Sequence, residues 1–267
     1  MMNRTKIEWT DFTWNPVTGC YHGCEYCYAR RIAHRFAGCV HHKATDTDII
    51  KINGKEHFEN TKMLALEEPM LKRSGDKAPY PIGFRPTFHK YRLHEPVQRQ
   101  KPAKIFVCSM GDLFGEWVPK KWIEKVIEVA ENCPQHTFQF LTKNPERYQE
   151  FDFPNNCWLG TTIEADNSHN VFERYWGLYP KRENIQFVSF EPLLGKEDLN
   201  NMFLSCTWLD WVIIGAQTGP GAVSPEHEWI EIILRESDYH GIPVFMKNNL
   251  DNFWSGDLVQ EWPEGLK

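Results

Sequence analysis

From residue 105 onward the chain repeats one plan: a short apolar run rich in β-branched and aromatic residues, a polar turn, then a helical stretch. The runs, in order, are Ile105–Cys108, Thr137–Leu141, Cys157–Gly160, Ile185–Val188, Trp211–Ile214 and Pro243–Met246. Strands this short and apolar, alternating with helices, belong in a parallel sheet covered on both faces. The expected fold class is therefore α/β, a partial or full parallel (β/α) barrel, with a doubly wound open sheet as the alternative. In both architectures chemistry collects at the carboxyl ends of the strands, so the residues just after each run are candidates for function.

The helices between the runs have their own signals. Trp122, Ile123, Val126, Ile127 and Ala130 follow Pro119 at helical spacing, which predicts one apolar face. Asn144-Pro145 and Ser224-Pro225 each set a capping side chain before a proline at the first helical position, so helices are expected to start there. Residues 38–104 break the rhythm with polar composition, an Asn53-Gly54 turn and a Lys72–Asp76 cluster, and read as an insertion or lid. With 267 residues and a 41% hydrophobic fraction, the expectation is one domain over 1–267. No apolar run approaches the roughly 18 residues of a membrane span, and the first residues lack a signal-peptide core, so a cytoplasmic location without membrane contact is expected.

The formal net charge of −6 gives no global signal for a polyanionic partner. Locally, Arg85, Lys90, Arg92, Arg99, Lys101 and Lys104 stand against Glu95 alone, interleaved with Phe88 and Tyr91. That stretch reads either as a solvated connection or as a basic, aromatic patch.

Three of the eight cysteines cluster, as Cys20, Cys24 and Cys27 in a C-x3-C-x2-C run, with Gly19 and Gly23 letting the loop curl around a metal group. In a reducing compartment clustered thiols are metal ligands more often than disulfide partners. Three thiolates on a four-iron, four-sulfur cube leave one iron open, the mark of a reactive rather than a structural centre. The alternative is a zinc site completed by His22, Cys39, His41 or His42, in a nucleic-acid-binding module without turnover. The other cysteines, Cys108 among them, read as packed core residues.

The cysteine spacing, with Tyr26 just before the last cysteine, resembles the signature of the radical S-adenosylmethionine superfamily. More narrowly, IEWTDFTWNPVTGC, FVCSMGDLF, FLTKNPERY, FEPLLG and IIGAQTGPGA resemble a phage-associated family within it. The resemblance implies a [4Fe-4S] cluster on Cys20, Cys24 and Cys27, S-adenosylmethionine as co-substrate, and reductive cleavage to a 5'-deoxyadenosyl radical. It also implies a flavodoxin- or ferredoxin-like electron donor; the substrate is unidentified, and the basic stretch, Lys143, Lys247 and the phage association point to a large or phosphate-bearing one, a nucleotide or nucleic-acid base, with a small molecule or a peptide as alternatives. Tyr26 would lie beside the adenine, or serve as a core aromatic.

S-adenosylmethionine carries an ammonium, a sulfonium, a carboxylate and ribose hydroxyls, so its site needs inward carboxylates and backbone donors. Ser109, Gly111 and Asp112 follow the first run, where the resemblance implies the methionine-binding stretch, with Asp112 on the ammonium. Glu164 and Glu191 follow later runs and are candidates for the ribose or the substrate, with ion pairing or capping as their plainer roles. Lys143 and Lys247 suit a carboxylate or phosphate. Gly215 and Gln217 open a glycine-rich loop able to cradle an anion or adenine.

Overall fold

The structure is a computed structural model that describes residues 2–37, 50–52, 55–57, 63–164, 174, 177–178, 183–196 and 208–263. Cys39, His41, His42, Asn53-Gly54 and Cys206 lie outside the described residues. The chain divides into two compact units, one of residues 1–6 and 10–138, the other of residues 7–9 and 139–267.

In the first unit β1 (Asn3–Arg4) runs antiparallel to β2 (Phe12–Trp14). A second short strand, β3 (Val17–Thr18), follows β2, and helix α1 (Tyr28–Phe36) follows the cysteine loop. Within the stretch read as an insertion, β4 (Ile50–Ile52) and β5 (Lys55–His57) form a hairpin, and β6 (Leu64–Leu66) runs parallel to β7 (Thr87–His89). β7 in turn pairs antiparallel with β3. β8 (Lys104–Val107) lies parallel to β2, with Phe12 against Ile105 and Trp14 against Val107.

Helix α2 (Lys120–Glu131) forms where the spacing predicts it and buries Ile123, Val126, Ile127 and Ala130. Each of the larger side chains contributes roughly 1.5–3 kcal/mol of burial. Trp14 meets the edge of Phe138 at 5.9 Å and Phe88 stacks on Trp122 at 5.2 Å, which closes the core of this unit.

The second unit carries β9 (Thr137–Thr142) from Gln139 onward, then β10 (Cys157–Thr162), β11 (Gln186–Phe190), β12 (Trp211–Ile214) and β13 (Val244–Met246), neighbours in that order. From β10 to β13 every pairing is parallel. β10, β11, β12 and β13 are buried along their whole length, as expected of parallel strands covered on both faces. The six apolar runs of the sequence are all strands, differing from the expectation by a residue or two at their ends.

The proline signals were less accurate. Asn144-Pro145 starts a 3-10 turn (Pro145–Glu150) rather than an α-helix, and Asn144 makes no side-chain cap. Helix α3 (His227–Tyr239) starts after Glu226, two residues beyond the expected Ser224-Pro225 start. A local dipeptide marks that a helix begins nearby, while the first committed turn is set by which residues reach the core, here Ile230 and Ile233. No helix among the described residues is long and apolar enough to cross a membrane.

Aromatic rings fill the core of the second unit. Trp9 packs 6.3 Å from Phe187, Phe187 5.8 Å from Trp211, and Trp211 stacks on Trp262 at 5.1 Å. Gly160 makes room for this layer, since a Cβ there would stand 2.3 Å from the Phe187 ring. Phe187 is fully buried between Trp9 and Trp211, so a shift of its ring presses on packed neighbours. Gly160→Ala should therefore lower unfolding free energy by about 1–3 kcal/mol in urea titration. Adding Phe187→Leu should return part of that loss, as a coupling of roughly 0.5 kcal/mol or more. Strictly additive losses would contradict this packing account.

Candidate functional site

In the first unit the cysteine loop begins at a backbone interlock. Gly19 N–H donates to the Met110 carbonyl oxygen at 2.8 Å, and Gly19 and Gly111 form a parallel bridge. Gly19 has φ +89°, and a Cβ on it would stand 2.3 Å from the Arg85 carbonyl oxygen. A Cβ on Gly111 would stand 2.8 Å from the Gly19 oxygen. Gly111 thus lets the two segments approach this closely, and Gly19 lets the loop pass the Arg85 backbone.

The end of β8 is shaped to meet the loop. Cys108 adopts φ 59°, an uncommon left-handed conformation for a residue with a side chain. Its N–H is held by the Trp14 carbonyl at 2.8 Å, and its own carbonyl accepts Gly111 N–H at 3.0 Å. Asn15 Oδ1 accepts Met110 N–H at 2.8 Å and Ser109 Oγ at 3.3 Å. Burial pushes the Cys108 thiol up to about 12, consistent with a packed core cysteine.

Cys20, Cys24 and Cys27 are not in disulfides, and each is partly buried. Gly23 turns the loop with φ +80°, and Cys27 N–H donates to the Cys24 carbonyl at 3.3 Å. Backbone N–H groups of His22 and Arg30 donate to the sulfurs of Cys20 and Cys27 at 3.4 and 3.3 Å. Cys27 is the N-cap of α1, which starts at Tyr28, so Tyr26 lies in the turn before the helix and not on its first turn. Ala29 and Ala33 of α1 pack on Phe84 and Met110, with Cys20 and Cys27 against the same cluster. Tyr28 Oη donates to the Ser109 carbonyl at 2.7 Å, a second tie between the loop and the end of β8.

Burial first, and then the Asp112 charge, push the Cys20 thiol up; Cys24 and Cys27 add to the rise and the His22 N–H opposes it. Among the described residues no three His, Cys, Asp or Glu are arranged to hold a metal ion. The donor set itself fits an iron–sulfur cluster: three thiols on one loop, two of them receiving backbone N–H bonds that favour thiolate.

Asp112 is only 5% exposed. Its Oδ1 accepts Phe114 N–H at 3.0 Å, and its Oδ2 accepts His22 Nε2 at 2.7 Å. The His22 ring meets the edge of Trp117 at 4.8 Å. Asp112 therefore binds the cysteine loop through His22, a role not seen from the sequence, where His22 stood only as a zinc ligand.

Beneath the loop, Arg92 is buried and donates to the carbonyl oxygens of Asn15 and Pro79 at 2.8 and 3.4 Å. His89, bonded to Thr18 Oγ1 at 2.9 Å, is pushed down to about 2 by burial and then by Arg92, so its ring stays neutral. The basic stretch 85–104 is thus neither a solvated face nor a uniform patch: Arg92 is a buried latch, Arg99 lies over Phe12 at 4.4 Å, and Lys90 pairs with Glu67.

In the second unit the predicted residues stand at strand ends in two groups. Lys143, just past β9, and Arg174 both pair with Glu164, just past β10; Arg174 does so at 2.9 Å and also donates to the Thr162 carbonyl at 3.0 Å. Lys247, just past β13, pairs with Glu191, just past β11. Gly215, just past β12, lies against this pair, where a Cβ would stand 3.0 Å from both Glu191 Cδ and Lys247 Cδ. Asn249 accepts Ala216 N–H at 3.1 Å and donates to its carbonyl at 2.8 Å, while Gln217 Oε1 accepts Val223 N–H at 2.8 Å. Arg174 and Asn249 were missed from the sequence because neither follows a strand run directly.

Known structures share this fold. A mutant of spore photoproduct lyase with dinucleoside spore photoproduct superposes with a TM-score of 0.54 at 10% identity, covering 92% of this chain and 78% of that one. Two more, a mutant of the same lyase with bound AdoMet and dinucleoside spore photoproduct and the lyase complexed with dinucleoside spore photoproduct, give 0.51 at 9% identity with the same coverage. At such identity the likeness shows the fold alone, an α/β arrangement with a mostly parallel sheet. No curated protein sequence matches the chain. A family model does match, over residues 4–256, and takes in the cysteine loop and every strand end described above; the chain belongs to that family, described as "Protein of unknown function (DUF5131)".

Proposed function

We propose that the chain is a radical S-adenosylmethionine enzyme that holds a [4Fe-4S] cluster on Cys20, Cys24 and Cys27 and acts on a nucleotide or nucleic-acid base. The observation that carries this reading is the three-thiol loop, bounded by glycines and locked to the carboxyl end of the parallel strand β8. Three protein ligands leave one iron open for the amino and carboxylate groups of the co-substrate. A cluster held there would pass one electron from an external reductant to the sulfonium, whose C–S bond would break to give methionine and a 5'-deoxyadenosyl radical.

The chain's own residues bind and orient. Metal binding would displace the proton from each thiol, so loading would release protons and weaken as pH falls. The N–H groups of His22 and Arg30 steady two of the thiolates. Asp112 is assigned to the methionine ammonium, with Ser109 and Gly111 beside it and Tyr26 toward the adenine. In the second unit Glu164 and Glu191 are assigned to hydroxyls and Lys143 to an anionic group, each by exchange of its present ion-pair partner; Gly215 and Gln217 shape the loop beside them. The similar fold in spore photoproduct lyase binds AdoMet and a dinucleoside, which supports both the co-substrate and the substrate class.

Anaerobic protein reduced with dithionite should slowly release 5'-deoxyadenosine and methionine from S-adenosylmethionine, read by chromatography. Absence of both products, with an intact cluster in the same sample, would sink the proposal. Asp112→Asn should keep its iron yet bind S-adenosylmethionine about ten-fold to a hundred-fold more weakly, the equivalent of a charge-assisted hydrogen bond of about 1.5–3 kcal/mol. An unchanged dissociation constant would leave Asp112 as the partner of His22 and Phe114 alone.

A further inference from the structure

We propose that the outward face of α1 is the docking surface for an acidic one-electron donor protein. This rests on the reading of the cysteine loop as a redox centre and adds the partner that serves it. The helix is built inside out for its size: its small residues Ala29 and Ala33 face the core, while Tyr28, Ile32 and Phe36 are 45%, 37% and 48% exposed. These three fall at i, i+4 and i+8, so they form one continuous stripe on the helix surface. Exposing three large apolar side chains in a row has a free-energy cost, and such a stripe rimmed by polar groups marks an interaction site.

Charge selects the partner. The nine residues of α1 include Arg30, Arg31, His34 and Arg35 and no acid, in a chain whose acids outnumber its lysines and arginines 36 to 30. Arg31 and Arg35, both exposed, fall at i+3 and i+7 from Tyr28 and line the stripe. The Arg35 guanidinium lies 5.6 Å from the Phe36 ring centroid, so charge and apolar surface are presented together. An apolar centre with a cationic rim is complementary to an acidic protein surface and speeds its encounter.

Position selects the chemistry. Cys27 is the N-cap of α1, so the face starts at the residue after a proposed cluster ligand. A partner seated there gives up one electron toward the cysteine loop and is itself oxidised by one electron; no bond is made or broken at the helix. Single-stranded nucleic acid also favours aromatic and cationic groups, but it binds by stacking on rings. The middle of this stripe is Ile32, which packs and does not stack, and this favours a protein.

The test uses the cluster-loaded protein with a purified acidic flavodoxin as donor. Arg31→Glu/Arg35→Glu should bind flavodoxin about ten-fold or more weakly by calorimetry, and the wild-type affinity should fall as salt rises. Cleavage of S-adenosylmethionine driven by reduced flavodoxin should fall in parallel, while cleavage driven by dithionite stays at the wild-type rate. Ile32→Gln, which leaves all charges in place, should give a smaller loss in the same direction. Wild-type flavodoxin affinity in both variants would overturn the docking surface, as would a loss of affinity for a single-stranded oligonucleotide with flavodoxin binding unchanged. Failure of dithionite-driven cleavage in the wild-type protein would instead overturn the reading of the cysteine loop, and the calorimetric result on α1 would still stand.

Discussion

The cysteine loop depends on the close approach of two backbones, Gly19 against Gly111. Neither tolerates a side chain: on Gly19 a Cβ would meet the Arg85 carbonyl, and on Gly111 it would meet Gly19 itself. The hydrogen bond from Gly19 N–H to Met110 is worth only about 0.5–1.5 kcal/mol by net balance, but it fixes where the thiols stand relative to the end of β8. Three further hydrogen bonds in the first unit reinforce that placement. Asn15 holds Met110 from one side, Arg92 holds Asn15 from below, and Tyr28 returns from α1 to Ser109. The unusual backbone of Cys108 belongs to the same turn, and its cost of order 1 kcal/mol is offset by the hydrogen bonds on either side of it.

The polar residues at the strand ends of the second unit follow another logic. Partly buried carboxylates favour partners, and Glu164 and Glu191 each have a lysine, with an arginine added for Glu164. Such pairs hold both charges in place at low dielectric and exchange partners when a ligand offers a comparable group. Gly215 is needed where the Glu191–Lys247 pair crosses the end of β12, since any side chain there would press on both.

Much of the fold was legible because a parallel strand buried on both faces leaves a continuous apolar run. Trp211–Ile214 is the clearest case, while the Cys157 run extends past Gly160 to Thr162, because Thr161 and Thr162 are polar residues buried in the sheet. The short strands β2 and β7 were not legible. Three residues carry no period, and their pairing with β8 and β3 is decided by distant segments. The thiol triplet was visible as a spacing, and Asp112 as a strand-end acid. The bond between His22 and Asp112 was not, since it joins residues on separate segments that tertiary contacts such as Gly19–Gly111 bring together. Arg92 misled for a related reason: a basic residue in a polar stretch reads as surface, whereas backbone carbonyls and the Tyr91 ring accommodate its charge inside the protein.

The most direct test of the account is metal analysis joined to electron paramagnetic resonance on anaerobically purified protein. Wild-type chain should hold about four irons and four sulfides, and its reduced signal should change shape when S-adenosylmethionine is added. Cys20→Ala, Cys24→Ala and Cys27→Ala should each lose the iron, whereas Cys39→Ala should retain it. A colourless wild-type protein carrying zinc, or an iron-loaded one whose signal is indifferent to S-adenosylmethionine, would contradict the account.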